Sequence, residues 1–543
     1  MTTRHSGPRA VSALIAVLGT ATLILGVGYS TPHAADAPVV STSGGELQGL
    51  LLTRGGAVFK GIPYARPPIG ERRWREPMPP ERWTGVRDAT AFGPPCAQRT
   101  GTAFQGNVAN QKEDCLSLNV WTPTWPAKER LPVMVWIHGG GNFAGAAASD
   151  PYGDGSGNAY DGENLARRGV LVVTINYRLG VFGFLAHPEL SAESSRGVSG
   201  NYGLLDQIAA LQWVRTNISR FGGDPGNITL FGQSAGATDI GVLMTSPLAK
   251  GLFHRAIAES GTVNSSPRTL KDAESDGLKF AAAVKAPDRG ALEYLRGLSA
   301  NELLNTPVPL FPALGRGSIR HLVRDGYAVP QVPAKVFADG KQHAVPLLIG
   351  SNARERSPGL TALPTDLAAV LQRNYGPLAQ RAIALYGAAA PDGVYGTALE
   401  QWAGDTGFRC DSVHQALWQA QAGRAAFQYE FGRSAPGRES VGAIHSAELW
   451  YVFGTLARGA APEGPPPHYD DVDRAISETM QAYWTNFAKR GDPNDGRLPR
   501  WPQFNASTRP YLQFKDREPL AASGLRRPFC DVYIENVDRQ MAQ

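Results

Sequence analysis

The sequence predicts an α/β fold: a central, mostly parallel sheet flanked by helices. Three observations carry this. Apolar, β-branched runs of strand length recur along the chain, and stretches of helical period separate some of them. The runs are continuously apolar rather than alternating, which marks strands covered on both faces. Finally, Asn227-Ile-Thr-Leu-Phe231 runs straight into Gly232-Gln233-Ser234-Ala235-Gly236, the pattern of a strand that turns sharply into a helix.

The first 35 residues read as a secretory signal peptide. Arg4, His5 and Arg9 make a basic start, and Val11 to Val27 is apolar and rich in small residues. Polar breakers and small residues follow through His33-Ala-Ala-Asp-Ala37. An uncleaved anchor is the alternative, but the run is short and interrupted by Ser12, Gly19, Thr20 and Thr22. Cleavage is expected between Ala34 and Ala37, and no cysteine there suggests a lipoprotein. No other stretch is apolar enough to span a bilayer, so stable membrane insertion after cleavage is not expected. The expected location is secreted, outside the cytoplasm.

Beyond the leader, residues 131–138, 170–177, 227–231, 254–259, 345–350 and 425–431 read as buried strands. Residues 203–221 and 411–422 have helical period. In such sheets, sites form in the loops beyond the carboxyl ends of the strands, so the residues just after each run are the ones to search. Gly459 to Pro467, with its triple proline, reads as a surface loop, and no internal repeat is visible.

Composition excludes several classes. Charged residues are 19% and hydrophobic ones 42%, so most of the 543-residue chain is globular. The formal charge is +5, of which Arg4 and Arg9 leave with the leader. What remains is too weak and scattered for a nucleic-acid partner. Four cysteines, Cys96, Cys115, Cys410 and Cys530, favour two disulfides in an exported chain, with three pairings possible. Neither C-x-x-C nor H-x-x-x-H spacing is present, so no metal site is expected.

The chemistry centres on Gly232-Gln233-Ser234-Ala235-Gly236. The G-x-S-x-G pattern holds one serine exposed at a strained turn, with glycines where larger residues would collide. Alone the motif is moderately specific in a chain with 62 glycines. About 90 residues upstream, Trp136-Ile137-His138-Gly139-Gly140-Gly141 follows another strand. Its glycines let backbone N–H groups approach a reacting carbonyl. Gly140, Gly141 and Ala235 amides are thus candidates for an oxyanion hole, at roughly 3 kcal/mol per donor.

A serine nucleophile needs a histidine base, which needs an acid to fix its tautomer, in the chain order Ser, acid, His. Of the downstream histidines, His445 lies in the small-residue loop Gly442-Ala-Ile-His-Ser-Ala-Glu448, shortly after a strand. His414 falls within a helix, and His468 follows the prolines. For the acid, Glu355 comes a few residues after the strand at 345–350, with Glu259 and Asp325 as rivals. Arg354 and Arg356 flank Glu355, favouring its charged form but also able to draw it into a surface ion pair.

Further stretches now matter: Phe59-Lys-Gly-Ile-Pro-Tyr-Ala65, Glu113-Asp-Cys-Leu-Ser-Leu-Asn119, Asn176-Tyr-Arg-Leu-Gly180, Asn201-Tyr-Gly-Leu-Leu-Asp-Gln207, Phe221-Gly-Gly-Asp-Pro225 and Trp484-Thr-Asn-Phe-Ala488. With the two glycine motifs, they make the chain resemble the type-B carboxylesterase/lipase family, which includes cholinesterases and para-nitrobenzyl esterases. The resemblance spans essentially all of residues 36–543, and implies an α/β-hydrolase fold and one catalytic domain over that range. It implies Ser234, Glu355 and His445 as the triad, Gly140, Gly141 and Ala235 as oxyanion donors, and Ser260 as a supporting hydroxyl. It also implies the pairings Cys96–Cys115 and Cys410–Cys530.

Several positions depart from the pattern. Gln233 stands where Glu is common before the nucleophile, Ser117 where Tyr is usual, and Asn142 where an aromatic usually follows the glycines. Arg354 and Arg356 replace the usual Asp and Gly around the acid. The loop between Cys96 and Cys115 carries Phe104 but no Trp, which argues against a choline ester. The expected function is a secreted serine carboxylesterase acting on a small-molecule ester without a cofactor. Alternatives are a lipase, a thioesterase or amidase on the same triad, or a non-catalytic neuroligin-like binding protein. The stretch around Phe311 to Arg324 belongs to the loops that would choose the substrate.

Overall fold

The apolar runs enter one eleven-stranded sheet in the computed structural model. The structure describes residues 37–99, 110–148, 158–264, 266–306, 322–355, 364–458 and 467–543, all within a unit spanning Ala37–Gln543. The leader, Phe104, Arg356 and most of the triple-proline loop lie outside the described residues.

In chain order the strands are β1 (Leu50–Leu51), β2 (Ala57–Pro63), β3 (Ser117–Thr122), β4 (Leu131–Ile137), β5 (Leu171–Ile175) and β6 (Gly223–Gln233). There follow β7 (Arg255–Glu259), β8 (Leu347–Asn352), β9 (Ala426–Phe431), β10 (Pro510–Phe514) and β11 (Leu520–Ser523). Their spatial order is β11-β10-β9-β8-β7-β6-β4-β5-β3-β2-β1. From β10 to β5 every pairing is parallel. Antiparallel pairs close both ends. Six of the parallel strands are those expected from sequence, so the α/β class holds.

Burial explains their composition. Along β4, Val133, Val135 and Ile137 face one core with Leu230, Ala256, Leu347 and the helix α1 (Tyr202–Asn217). Met134 and Trp136 face the other, with Phe231, Ile257, Leu348 and Trp484 of the helix α4 (Asp471–Arg490). A strand buried on both faces has no polar position to alternate with. The helical stretch at 203–221 is α1 followed by a 3₁₀ turn at Ile218–Phe221 that ends on Gly222 at φ +89°. The stretch at 411–422 is the helix α3 (Cys410–Gln421).

The disulfides pair Cys96 with Cys115 and Cys410 with Cys530. The second bridges 120 residues and pins the helix α5 (Arg527–Met541) to α3. Strand β4 has β5 on one side and β6 on the other, so the chain reverses direction of travel across the sheet there. The crevice beyond the carboxyl ends of β4 and β6 is where a doubly wound sheet places its site.

Candidate active site

Ser234 sits between β6 and the helix α2 (Ala235–Leu243), with φ 56° and ψ −121°. A non-glycine residue held there stores on the order of 1–3 kcal/mol, which surrounding structure must offset. Ser234 donates its N–H to the Glu259 carbonyl at 2.8 Å, and its own carbonyl accepts from Thr238 N–H at 2.9 Å. The flanking glycines have a specific reason. A Cβ on Gly236 would lie 2.0 Å from the Ile137 carbonyl oxygen, and one on Gly232 would lie 2.7 Å from it. Strand β4 therefore requires both.

The glycine triplet leaves β4 directly beside this turn. A Cβ on Gly139 would come 2.8 Å from the Gln233 carbonyl and 3.0 Å from Ser234 Cβ. Gly140 takes φ +99°, and its carbonyl accepts N–H groups of Phe143 and Ala144 at 3.2 and 3.0 Å, folding the loop back on itself. On the other side of Ser234, Ala235 opens α2, where the first-turn amides have no intrahelical acceptor and the helix favours negative charge.

His445 and Glu355 are in contact. The imidazole Nδ1 lies 2.7 Å from Glu355 Oε2, and both side chains are buried. The other carboxylate oxygen accepts from Ser260 Oγ at 2.5 Å and from Asn352 N–H at 2.7 Å. Asn352 ends β8, so the acid is set by the end of a strand. The flanking Arg354 does not draw it outward: its guanidinium binds Glu400 at 2.9 Å and the Ser440 carbonyl at 2.7 Å.

The rivals lie elsewhere. Asp325 accepts from Asn201 at 2.8 Å and from the Tyr327 and Val329 amides. Glu259 accepts from Trp484 Nε1 at 2.8 Å, and burial pushes its carboxyl up to about 8. His414 stacks on Trp418 within α3, 3.2 Å from Asp538, and His468 is exposed.

With Nδ1–H given to Glu355, His445 Nε2 is an acceptor. Among the described residues its partner is the Gln233 side-chain nitrogen, at 3.2 Å.

The carboxylesterase family model matches residues 36–533. The chain belongs to the carboxylesterase family. Similar proteins include the para-nitrobenzyl esterase of Bacillus subtilis, 38% identical over 87% of this chain and 94% of that one. The fumonisin B1 esterase of Sphingopyxis macrogoltabida is 37% identical over 82% of this chain and 81% of its own. A carboxylesterase of Geobacillus stearothermophilus superposes with a TM-score of 0.77 at 34% identity, covering 91% of this chain and 99% of the other. The fold is that of an α/β-hydrolase, and the chain is a carboxylic ester hydrolase.

Two features of this carboxylesterase escaped the sequence reading. A π-helical turn, Asp405–Arg409, precedes α3. Its Phe408 stacks on His445 with ring centroids 4.6 Å apart, and its Arg409 donates to the Asn352 and Ala353 carbonyls beside the acid. π-turns of this kind have no composition signal. The second is a further buried carboxyl. Glu448 accepts from Asn352 Nδ2, and its value is pushed up to about 8, by burial first and then by the charges of Glu259 and Glu355. Among the described residues, Glu259 Oε2 and Glu448 Oε1 are both buried without a hydrogen-bond partner.

Proposed function

We propose that this carboxylesterase works as a secreted serine esterase. Ser234 attacks the ester carbonyl while His445 takes its proton; His445 then protonates the leaving alcohol. The acyl-enzyme is cleaved by water, which His445 activates in turn. Glu355 holds the imidazole tautomer and supports the imidazolium. Gly140, Gly141 and Ala235 amides receive the oxyanion, at roughly 3 kcal/mol per donor.

The observation that carries this reading is the buried His445–Glu355 contact at 2.7 Å, with His445 Nε2 3.2 Å from Gln233, the chain neighbour of a serine at φ 56°. The paired cysteines favour an oxidising location, and no helix among the described residues is long and apolar enough to cross a membrane. Glycine triplet, nucleophile, base and acid are all present, which favours hydrolysis over a purely binding role on the same fold.

Hydrolysis of p-nitrophenyl esters of increasing acyl length, by the wild type and Ser234→Ala, tests the mechanism and ranks short-chain esterase against lipase activity. Loss of at least about 10³-fold is expected in the Ala variant. Undiminished turnover would overturn it. In the same assay Glu355→Gln should lose about 10³–10⁴-fold while Asp325→Asn stays near wild type. The reverse pattern would reassign the acid.

A further inference from the structure

The oxyanion donors come from two separate pieces of chain, the glycine loop and the start of α2. Something must fix one against the other, because donors misplaced by more than about 0.5 Å lose their effect. Asn142, the residue after the glycine triplet, departs from the aromatic usual in the family. Its side chain does not enter the crevice. It is fully buried at φ +60°, and its Nδ2 lies 2.9 and 3.0 Å from the two carboxylate oxygens of Asp239. Asp239 is itself fully buried, five residues beyond the nucleophile in α2.

Both ends of this bond are anchored further. Asp239 also accepts from Gln207 Nε2 of α1 at 2.6 Å. The Tyr177 hydroxyl, with one hydrogen to share, lies 2.8 Å from both Asn142 Oδ1 and the His138 carbonyl. The Asn142 carbonyl accepts from Gly180 N–H at 2.8 Å. The His138 ring, stacked on Tyr177, is held neutral by burial at about 4 and brings no competing cation to the carboxylate. A hydrogen bond between partners 97 residues apart thus joins the loop bearing Gly140 and Gly141 to the helix bearing Ala235.

We infer that Asn142 and Asp239 are positioning residues that set the oxyanion hole by tying its two halves together. This rests on the serine mechanism proposed above. An Asn at this position tolerates a positive φ, and so does an Asp, which permits a test by exchange. In Asn142→Asp two carboxylates face each other, and the amide tie gives way to a charge repulsion relieved only by a shared proton. In Asn142→Asp combined with Asp239→Asn the bond is restored in the opposite direction. Tyr177 and Gln207 each still have an acceptor to donate to.

The measurement is kcat and KM for a p-nitrophenyl ester, per active site counted by the p-nitrophenol burst. It is paired with inhibition by a trifluoromethyl ketone, which mimics the tetrahedral intermediate. Asn142→Asp should lose roughly 10²–10³-fold in kcat and a similar factor in ketone affinity, with KM within about threefold. The exchanged double variant should recover to within about threefold of wild type. Should the single variant not fold, Asp239→Asn replaces it, since it keeps one acceptor oxygen and should lose about tenfold in both readouts. Folded variants with unchanged kcat and ketone affinity, or a double variant no better than the single, would overturn the inference. Activity surviving in Ser234→Ala would instead defeat the serine mechanism itself, so the two failures are distinguishable.

Discussion

At the scale of single residues, Gln233 is the most informative departure from the family. Its side-chain amide touches the ring nitrogen that accepts the nucleophile's proton in the proposed mechanism. A carboxylate there would favour the imidazolium and make the base harder to free. Gln233→Glu should therefore move the acid limb of the kcat/KM profile to higher pH, by about one unit, with the alkaline limb unchanged. A profile that stays put would show that the neutral amide does no tuning. Glu355 carries a different lesson. Two adjacent arginines made an ion pair at the surface a real competitor in the sequence, yet the chain folds the acid inward and sends Arg354 to Glu400. Arg354 and Glu355 lie in the turn just beyond β8 and their side chains leave it in different directions, so adjacency there does not mean contact.

At the scale of elements, legibility followed burial. The central strands announced themselves because both faces are covered, leaving near-continuous apolar runs. The outermost strands gave no such signal: Leu50 and Leu51 are exposed, and Leu520 is 65% exposed. The elbow and the glycine triplet were legible because backbone geometry dictates their composition. The π-turn at Asp405–Arg409 was not, since it depends on packing against the acid and base rather than on local propensity. Phe408 makes this testable. It covers one face of the His445 ring, so Phe408→Ala should loosen the base and cut kcat by about tenfold with KM little changed. A variant with wild-type kcat would make the stacking incidental. The tie between Asn142 and Asp239 was equally invisible, because nothing in a single sequence joins positions so far apart.

At the scale of the whole molecule, the buried acids Glu259 and Glu448 should give stability a pH dependence. Glu259 and Glu448 have an ordinary value of 4.5 and are each pushed up to about 8, with burial as the main cause. The folded chain thus binds protons more tightly than the unfolded chain between those values. The resulting stabilisation is complete below about pH 4.5 and is lost as pH rises through about 8. Glu448→Gln keeps an acceptor for Asn352 and removes one of the two charges. Its Tm should fall less steeply than that of the wild type between about pH 5 and 9. Parallel Tm curves would mean that the pair does not hold a proton in the folded state.

The same molecule-wide arrangement joins an acid beyond one strand end to a histidine in a loop after a second, and sets that histidine against Gln233, the neighbour of a serine at a third. That convergence is the central claim. Its most direct test is the mass of the intact and proteolysed protein after treatment with a fluorophosphonate. A single adduct is predicted on the peptide containing Ser234, absent from Ser234→Ala and matched by complete loss of esterase activity. An adduct on another residue, or wild-type esterase activity in the fully labelled protein, would contradict it.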